Sequence, residues 1–403
     1  TVAGVLTGLV LFLFLGPILL FSMLAASFGN QPAQPAHMVL ALDLREPLTD
    51  QRPASPFAAF NSSSSALLDV LGKIDGARTD NAVEGIYIRA NTGGMQPAQA
   101  EELRAALAAF RASGKFVVAH IQNDGVRMGM PGYMAIADSD EVWLQETSEF
   151  QPMGLSAEVT FFGRTLQRYH LQAQFEARED YKTYANTLTQ STFTPAHREE
   201  MMSLMTGIYG NMIANMAADR GITPEATRAA VEATPFTAQR ARELTLIDQI
   251  GRPEEAERAA LARAENSELV DFADYRAPTH SGGRVIAVVQ GEGAIVSGPE
   301  SHDFFNDESM MNSDVIAQAL LDASEDEDVA AIVFRVSSPG GSVVASDQIL
   351  AALRTARERG KHVVVSMGDV AASGGYYVSA FADEIIASPS TITGSIGVVG
   401  GKL

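Results

Sequence analysis

A strand–Gly-Gly–helix unit occurs twice in this chain, and no other feature restricts its fold as much. Gly85-Ile86-Tyr87-Ile88-Arg89-Ala90-Asn91-Thr92-Gly93-Gly94 parallels the segment from Ala331 to Gly341. A helical pattern follows each. Leu103, Leu107 and Phe110 line one face of the first; Ile349, Leu350, Leu353 and Ala356 line the second. Ser113-Gly114-Lys115-Phe116-Val117-Val118 then matches Arg359-Gly360-Lys361-His362-Val363-Val364. Gly132-Tyr133 and Asp140 recur as Gly375-Tyr376 and Asp383 at an offset of 243. Repeats of this size predict one α/β architecture built twice in tandem.

The second copy carries a turn suited to chemistry. His362-Val363-Val364-Val365-Ser366 reads as a buried strand. It runs into Met367-Gly368-Asp369-Val370-Ala371-Ala372-Ser373-Gly374-Gly375-Tyr376-Tyr377, and a helical pattern follows. Ser373 therefore stands where a strand gives way to a helix. Glycines behind it let a substrate backbone approach, and first-turn N–H groups suit a developing oxyanion. A small-residue turn packed on a helix would carry the same letters. The 243-residue offset applied to Ser373 lands on Met130, so the first copy lacks the serine.

Strand, Ser337-Ser338-Pro339-Gly340-Gly341-Ser342, helix, strand, A-S-G-G-Y, helix is more specific than either piece. The pattern resembles the Clp/crotonase superfold, and most closely the signal peptide peptidase A (protease IV) family of membrane-anchored Ser–Lys peptidases. Gly394-Ser395-Ile396-Gly397 and the upstream half extend the resemblance. It implies tandem duplicated Clp/crotonase-like domains over residues 37–265 and 284–403, the second truncated. An N-terminal transmembrane helix within residues 1–28 is expected to precede them.

A serine nucleophile needs a base. None of the seven histidines occupies the stretch from Thr393 to Gly401, where a Clp-type triad would carry one. Lysine serves only when burial leaves it neutral. The letters around Lys182 describe an exposed lysine, although Tyr181 and Tyr184 offer an apolar surrounding. The resemblance of Glu179-Asp180-Tyr181-Lys182-Thr183-Tyr184 to the family's lysine segment implies that Lys182 is the base. It likewise implies that Ser395 positions the lysine; otherwise Ser395 is a turn serine. The backbone N–H groups of Gly374 and Gly341 form the expected oxyanion hole, with Gly340 next in order. No metal or cofactor motif stands out.

Val2 to Leu24 contains no charged side chain and is long enough to span a bilayer. A cleaved signal peptide is the alternative, but its apolar core is usually about 7–15 residues. A polar, Pro-containing linker follows to Ala36, then a strand at Met38–Leu44, a Pro/Ser-rich loop to Ser65 and a helix over Ala66–Ile74. Gly154 to Asp180 reads as a strand-and-helix passage. The Met-rich helix Pro195–Arg220 reads as core or subunit contact. Glu254 to Asp271 reads as a charged connector, and Phe304 to Asp314 as an acidic loop. The net charge of −20 argues against nucleic acid, and the absence of cysteine removes thiolate chemistry.

The expected activity is that of a membrane-anchored serine endopeptidase that degrades cleaved signal peptides. Its expected partners are peptide substrates, membrane lipid and copies of itself, a homo-oligomer that the resemblance makes a tetramer. The resemblance also implies a single-pass inner-membrane protein with periplasmic catalytic domains. A crotonase-like acyl-CoA enzyme shares the strand–GG–helix device without needing the serine. A membrane scaffold of related fold would need neither serine nor lysine.

Overall fold

The structure is a computed structural model that describes residues 33–51, 66–90, 94–122, 129–278, 282–299 and 309–403. The apolar run Val2–Leu24 lies outside the described residues, as does most of the loop before Ser65. Among the described residues no helix is long and apolar enough to cross a membrane.

Two parallel sheets dominate the chain. The first contains β1 (Met38–Leu44), β2 (Val83–Ala90), β3 (Phe116–Ile121) and β4 (Glu141–Leu144). Its spatial order is β6-β4-β3-β2-β1-β7, with β6 at Gln249–Ile250 and β7 at Glu268–Asp271. Continuous apolar strands such as Phe116-Val117-Val118-Ala119 suit a sheet covered on both faces. Helices α1 (Leu67–Thr79) and α2 (Pro97–Ala112) supply Leu67, Val70, Ile74, Leu103, Leu107 and Phe110 to one face. Between β3 and β4 lies the short helix α3 (Met130–Ile136), whose residues are all buried. The long helix α4 (Pro195–Arg220) sends Met212 and Met216 into the same core, while Met202 stays exposed. On the opposite face, α5 (Pro253–Ala262) buries Ala256 and Ala260 against Val39, Tyr87 and Val118.

The segment from Glu254 to Asp271 is thus no connector. Its small residues pack a helix close to the sheet, and β7 adds an edge strand paired with β1. The first sheet therefore continues past residue 265. Helix α1 also runs on to Thr79, because its later turns bury Ala77. The passage from Gly154 to Asp180 holds both a helix, Gly163–Arg168, and a strand, β5 (Gln174–Ala177), the helix coming first.

The second sheet has the order β8-β9-β10-β11: β8 (Val285–Glu292), β9 (Val329–Ser338), β10 (His362–Ala372) and β11 (Glu384–Ile386). A short strand β12 (Ile392–Gly394) pairs with the last residues of β10. Helices α6 (Ser313–Glu325) and α7 (Val343–Glu358) cover one face through Ile316, Leu320, Ile349 and Leu353. On the other face Ile286, Val288 and Ile386 remain exposed. Val39 pairs with Gly85 in the first sheet as Ile286 pairs with Ala331 in the second. The last strand, β13 (Val399–Lys402), crosses back and pairs antiparallel with β5.

Candidate active site

Strand β10 ends at Ala372 and helix α8 (Gly374–Ser379) begins two residues later, so Ser373 occupies the junction. Its backbone sits at φ 52° and ψ −111°, a region that non-glycine residues rarely enter. Two hydrogen bonds hold it there. Ser373 N–H donates to the Gly394 carbonyl at 2.9 Å, and Tyr377 N–H donates to the Ser373 carbonyl at 2.9 Å. The turn after β9 packs directly on this junction. A Cβ at Gly340 would lie 2.5 Å from the Gly374 nitrogen and 2.8 Å from the Ser373 Cβ. Gly340 also has φ +99°, so both space and backbone demand glycine. Its N–H donates to Ser338 Oγ at 3.1 Å, which sets the loop.

Gly341 lies alongside Ile295. The Gly340 carbonyl accepts from Ile295 N–H at 3.0 Å, and Ser342 N–H donates to the Ile295 carbonyl at 2.9 Å. Peptide groups alternate in direction along extended chain, so the Gly341 N–H turns away from Ile295. The Gly374 N–H belongs to the first turn of α8, where no intrahelical acceptor exists.

Lys182 comes from the first half of the chain and is only 8% exposed. Its Nζ donates to Ser373 Oγ at 3.1 Å and to Ser395 Oγ at 3.1 Å, and also to the Ser395 carbonyl. Burial pushes the Lys182 ammonium pKa down, opposed by the nearby Glu200 carboxylate. The neighbouring tyrosines do not provide the shelter. Tyr181 is 51% exposed and Tyr184 is 70% exposed. The serine-bearing half shields the lysine instead: a Cβ at Gly397 would touch its Cγ and Cδ at 3.9–4.0 Å. The β5–β13 pairing carries residues on both sides of this contact.

A buried polar seam fixes the two halves relative to each other. Arg335, at the centre of the apolar strand β9, is 2% exposed. It donates to both Asp50 carboxylate oxygens at 3.2 and 3.3 Å, to Glu102 at 2.8 Å and to Ser366 at 3.1 Å. Burial works against the guanidinium charge, but Asp50 and Glu102 hold its pKa above the usual arginine value. Burial raises the pKa of the Glu102 and Asp369 carboxyls, Arg335 opposes the rise, and the neighbouring acids Asp50 and Glu101 add to it. Nearby, Ser390 Oγ donates to Glu101 at 2.7 Å. None of these five seam residues, Asp50, Glu101, Glu102, Asp369 and Ser390, was singled out from the sequence. A charged residue inside an apolar strand, as in Ile332-Val333-Phe334-Arg335-Val336, was the one visible signal.

The described histidines lie elsewhere. His362 is exposed and within 3.7 Å of Asp383. His120 is buried against the Gly251 carbonyl at 3.0 Å, and His197 packs among Phe161 and Phe193. Among the described residues no histidine shares a hydrogen bond with Ser373 or Lys182.

Residues 109–267 and 355–403 match the sequence model of peptidase family S49. The chain belongs to peptidase family S49. Both matched stretches include one member of the Lys182–Ser373 pair. Similar family proteins include "Protease 4" of Salmonella typhi, 31% identical over 401 residues, with 92% of this chain and 63% of that protein covered. "Protease 4" of Haemophilus influenzae is 28% identical over 352 residues, covering 82% of this chain and 55% of its own length. The chloroplastic "Serine protease SPPA" of Arabidopsis thaliana is 28% identical over 378 residues, covering 90% and 53%. The chain thus spans between about half and two-thirds of the length of these S49 relatives.

Proposed function

We propose that this chain forms the catalytic part of an S49 serine endopeptidase in which Ser373 is the nucleophile and Lys182 its base. The observation that carries the reading is the 3.1 Å contact between Lys182 Nζ and Ser373 Oγ inside a site that depresses the lysine pKa. A neutral Lys182 takes the Ser373 proton as Oγ attacks the peptide carbonyl. The tetrahedral oxyanion is held by the N–H groups of Gly341 and Gly374. As the C–N bond breaks, Lys182 returns the proton to the leaving amine, and an acyl-enzyme remains. Lys182 then deprotonates water for the second attack and returns that proton to Ser373 Oγ as the ester C–O bond breaks and the new carboxyl terminus leaves. Ser395, through its hydroxyl and carbonyl, keeps the ammonium pointed at Ser373.

The wider reading follows the relatives. A protein of Enterococcus faecium, 35% identical over 107 residues, carries the name "Putative signal peptide peptidase SppA". Cleaved signal peptides are the substrate class proposed here. An uncharged anchor at Val2–Leu24 would hold the site at the inner membrane, single-pass, with the catalytic domains in the periplasm and lipid as a partner. The two parallel sheets are read as tandem Clp/crotonase-like repeats, the first from residue 37 through β7 to Asp271 and the second over 284–403, assembled as a homo-oligomer, a tetramer by family resemblance.

Labelling with a fluorophosphonate probe tests the reading. Ser373→Ala should abolish labelling and lower peptidase turnover by several orders of magnitude, roughly 10⁴-fold or more. A variant that keeps a few per cent of the rate would move the nucleophile elsewhere.

A further inference from the structure

Lys182 sits on a segment with little regular structure of its own. Its backbone has φ −88° and ψ 74°, and it is followed only by the 3₁₀ turn Thr183–Ala185 and the four-residue helix Asn186–Thr189. A base must be held within about 0.5 Å of its working position, and an irregular segment does not do that unaided. The flanking residues are both tied to α4. Tyr181 Oη donates to Glu199 Oε2 at 3.1 Å, and Thr183 Oγ1 donates to Glu200 Oε2 at 3.0 Å. Two successive carboxylates of one helix therefore grip the residues on either side of the lysine. The start of α4 is itself secured. Thr194 Oγ1 accepts from His197 N–H at 3.2 Å and from Asn186 Nδ2 at 3.4 Å, with Pro195 in the first turn.

We propose that Glu200 is a positioning residue for Lys182, fixing the lysine-bearing turn through Thr183 and setting the charge balance around the ammonium. The inference rests on the Ser–Lys reading above. The charged groups around Nζ are few. Ser373 and Ser395 present hydroxyls and a carbonyl. On the lysine's own segment Asp180 acts on Tyr181, and on α4 the Glu199 carboxylate is taken up by Tyr181. The Glu200 carboxylate favours the protonated form of Lys182, while burial favours the neutral one. A carboxylate at this place thus limits how far the site can neutralise its base.

Two variants separate the mechanical role from the electrostatic one, with a fluorogenic peptide amide as substrate. Glu200→Gln keeps an acceptor for Thr183 and removes the charge. The rising limb of kcat against pH should move to lower pH, with turnover at its foot about threefold above wild type. Its plateau should stay within about twofold. Thr183→Val keeps the charge and removes the tie. Its plateau kcat should fall about tenfold with KM within about twofold, and Thr183→Ser should restore it. A Glu200→Gln limb that superimposes on the wild-type limb overturns the electrostatic role, and a wild-type plateau in Thr183→Val overturns the tie. Lys182→Arg is the control for the underlying reading: full activity there discards the Ser–Lys pair, whatever Glu200 does.

Discussion

Lys182 Nζ and Ser373 Oγ lie 3.1 Å apart although 191 residues separate them in the chain. The contact is made by segments with no local reason to meet. It depends on β13 crossing back to pair with β5, and on the Arg335 seam that locks the halves together. Changes at each of these places have distinct expected outcomes.

Lys182 must be neutral to accept a proton. Its pKa is depressed by burial, so the rate should rise with pH through that depressed value and then level off. Stability should follow the same sign. The folded state releases this proton before the unfolded state does, so folding gains as pH rises from the depressed value towards the ordinary lysine pKa. Lys182→Arg keeps a cation that cannot lose its proton in this range, and turnover should fall at least about 100-fold. A kcat profile across pH, with wild type beside the variant, checks both points.

Gly340→Ala should fail through geometry. The new methyl would press on the Gly374 nitrogen and the Ser373 Cβ, and the residue would carry a strained φ of +99°. Moving the nucleophile turn by an ångström costs about 100-fold in rate. The overlap and strain should cost a further 1–3 kcal/mol or so in stability. Steady-state kinetics and a denaturant melt measure the two effects, and kinetics within about threefold of wild type would contradict the packing described.

Arg335→Met leaves the Asp50 and Glu102 carboxylates without their buried partner. Breaking a buried pair on one side typically costs about 3–5 kcal/mol. The loss should show in urea unfolding, and activity should fall with it because the lysine and serine halves lose a shared anchor. A loss below about 1 kcal/mol would show that the seam does not hold the halves together.

Asp369→Asn should do the opposite. Burial raises the Asp369 pKa above its unfolded value, so the folded state holds a proton that the unfolded state has already released. Stability from this group therefore declines as pH climbs from the ordinary carboxylate pKa through the raised one. The asparagine variant should melt about 1–3 °C higher than wild type near pH 7. The two should converge near pH 4. Melting curves at both pH values decide it; equal curves at pH 7 remove the burden assigned to Asp369.

Local pattern alone determined the α/β class, the strands at Met38–Leu44 and His362 onward, and the Ser373 turn. Apolar runs, helical spacing and Gly-Gly turns are short-range consequences of backbone geometry, and they are written in consecutive residues. The failures have the opposite character. Glu254–Asp271 carries many charges, yet its few alanines are enough to seat a helix on a sheet, and only the sheet's position reveals it. The burial of Lys182 was invisible for the same reason: its neighbours in sequence, Tyr181 and Tyr184, are exposed, and its cover comes from residues near 373 and 395–397. A pKa is set by what is close in space. So are the partners of Arg335, drawn from Asp50 and Glu102. Resemblance to a family pointed to Lys182 and Ser373 as a pair, but tertiary structure alone decided their distance, their desolvation and the carboxylates that grip the lysine's turn.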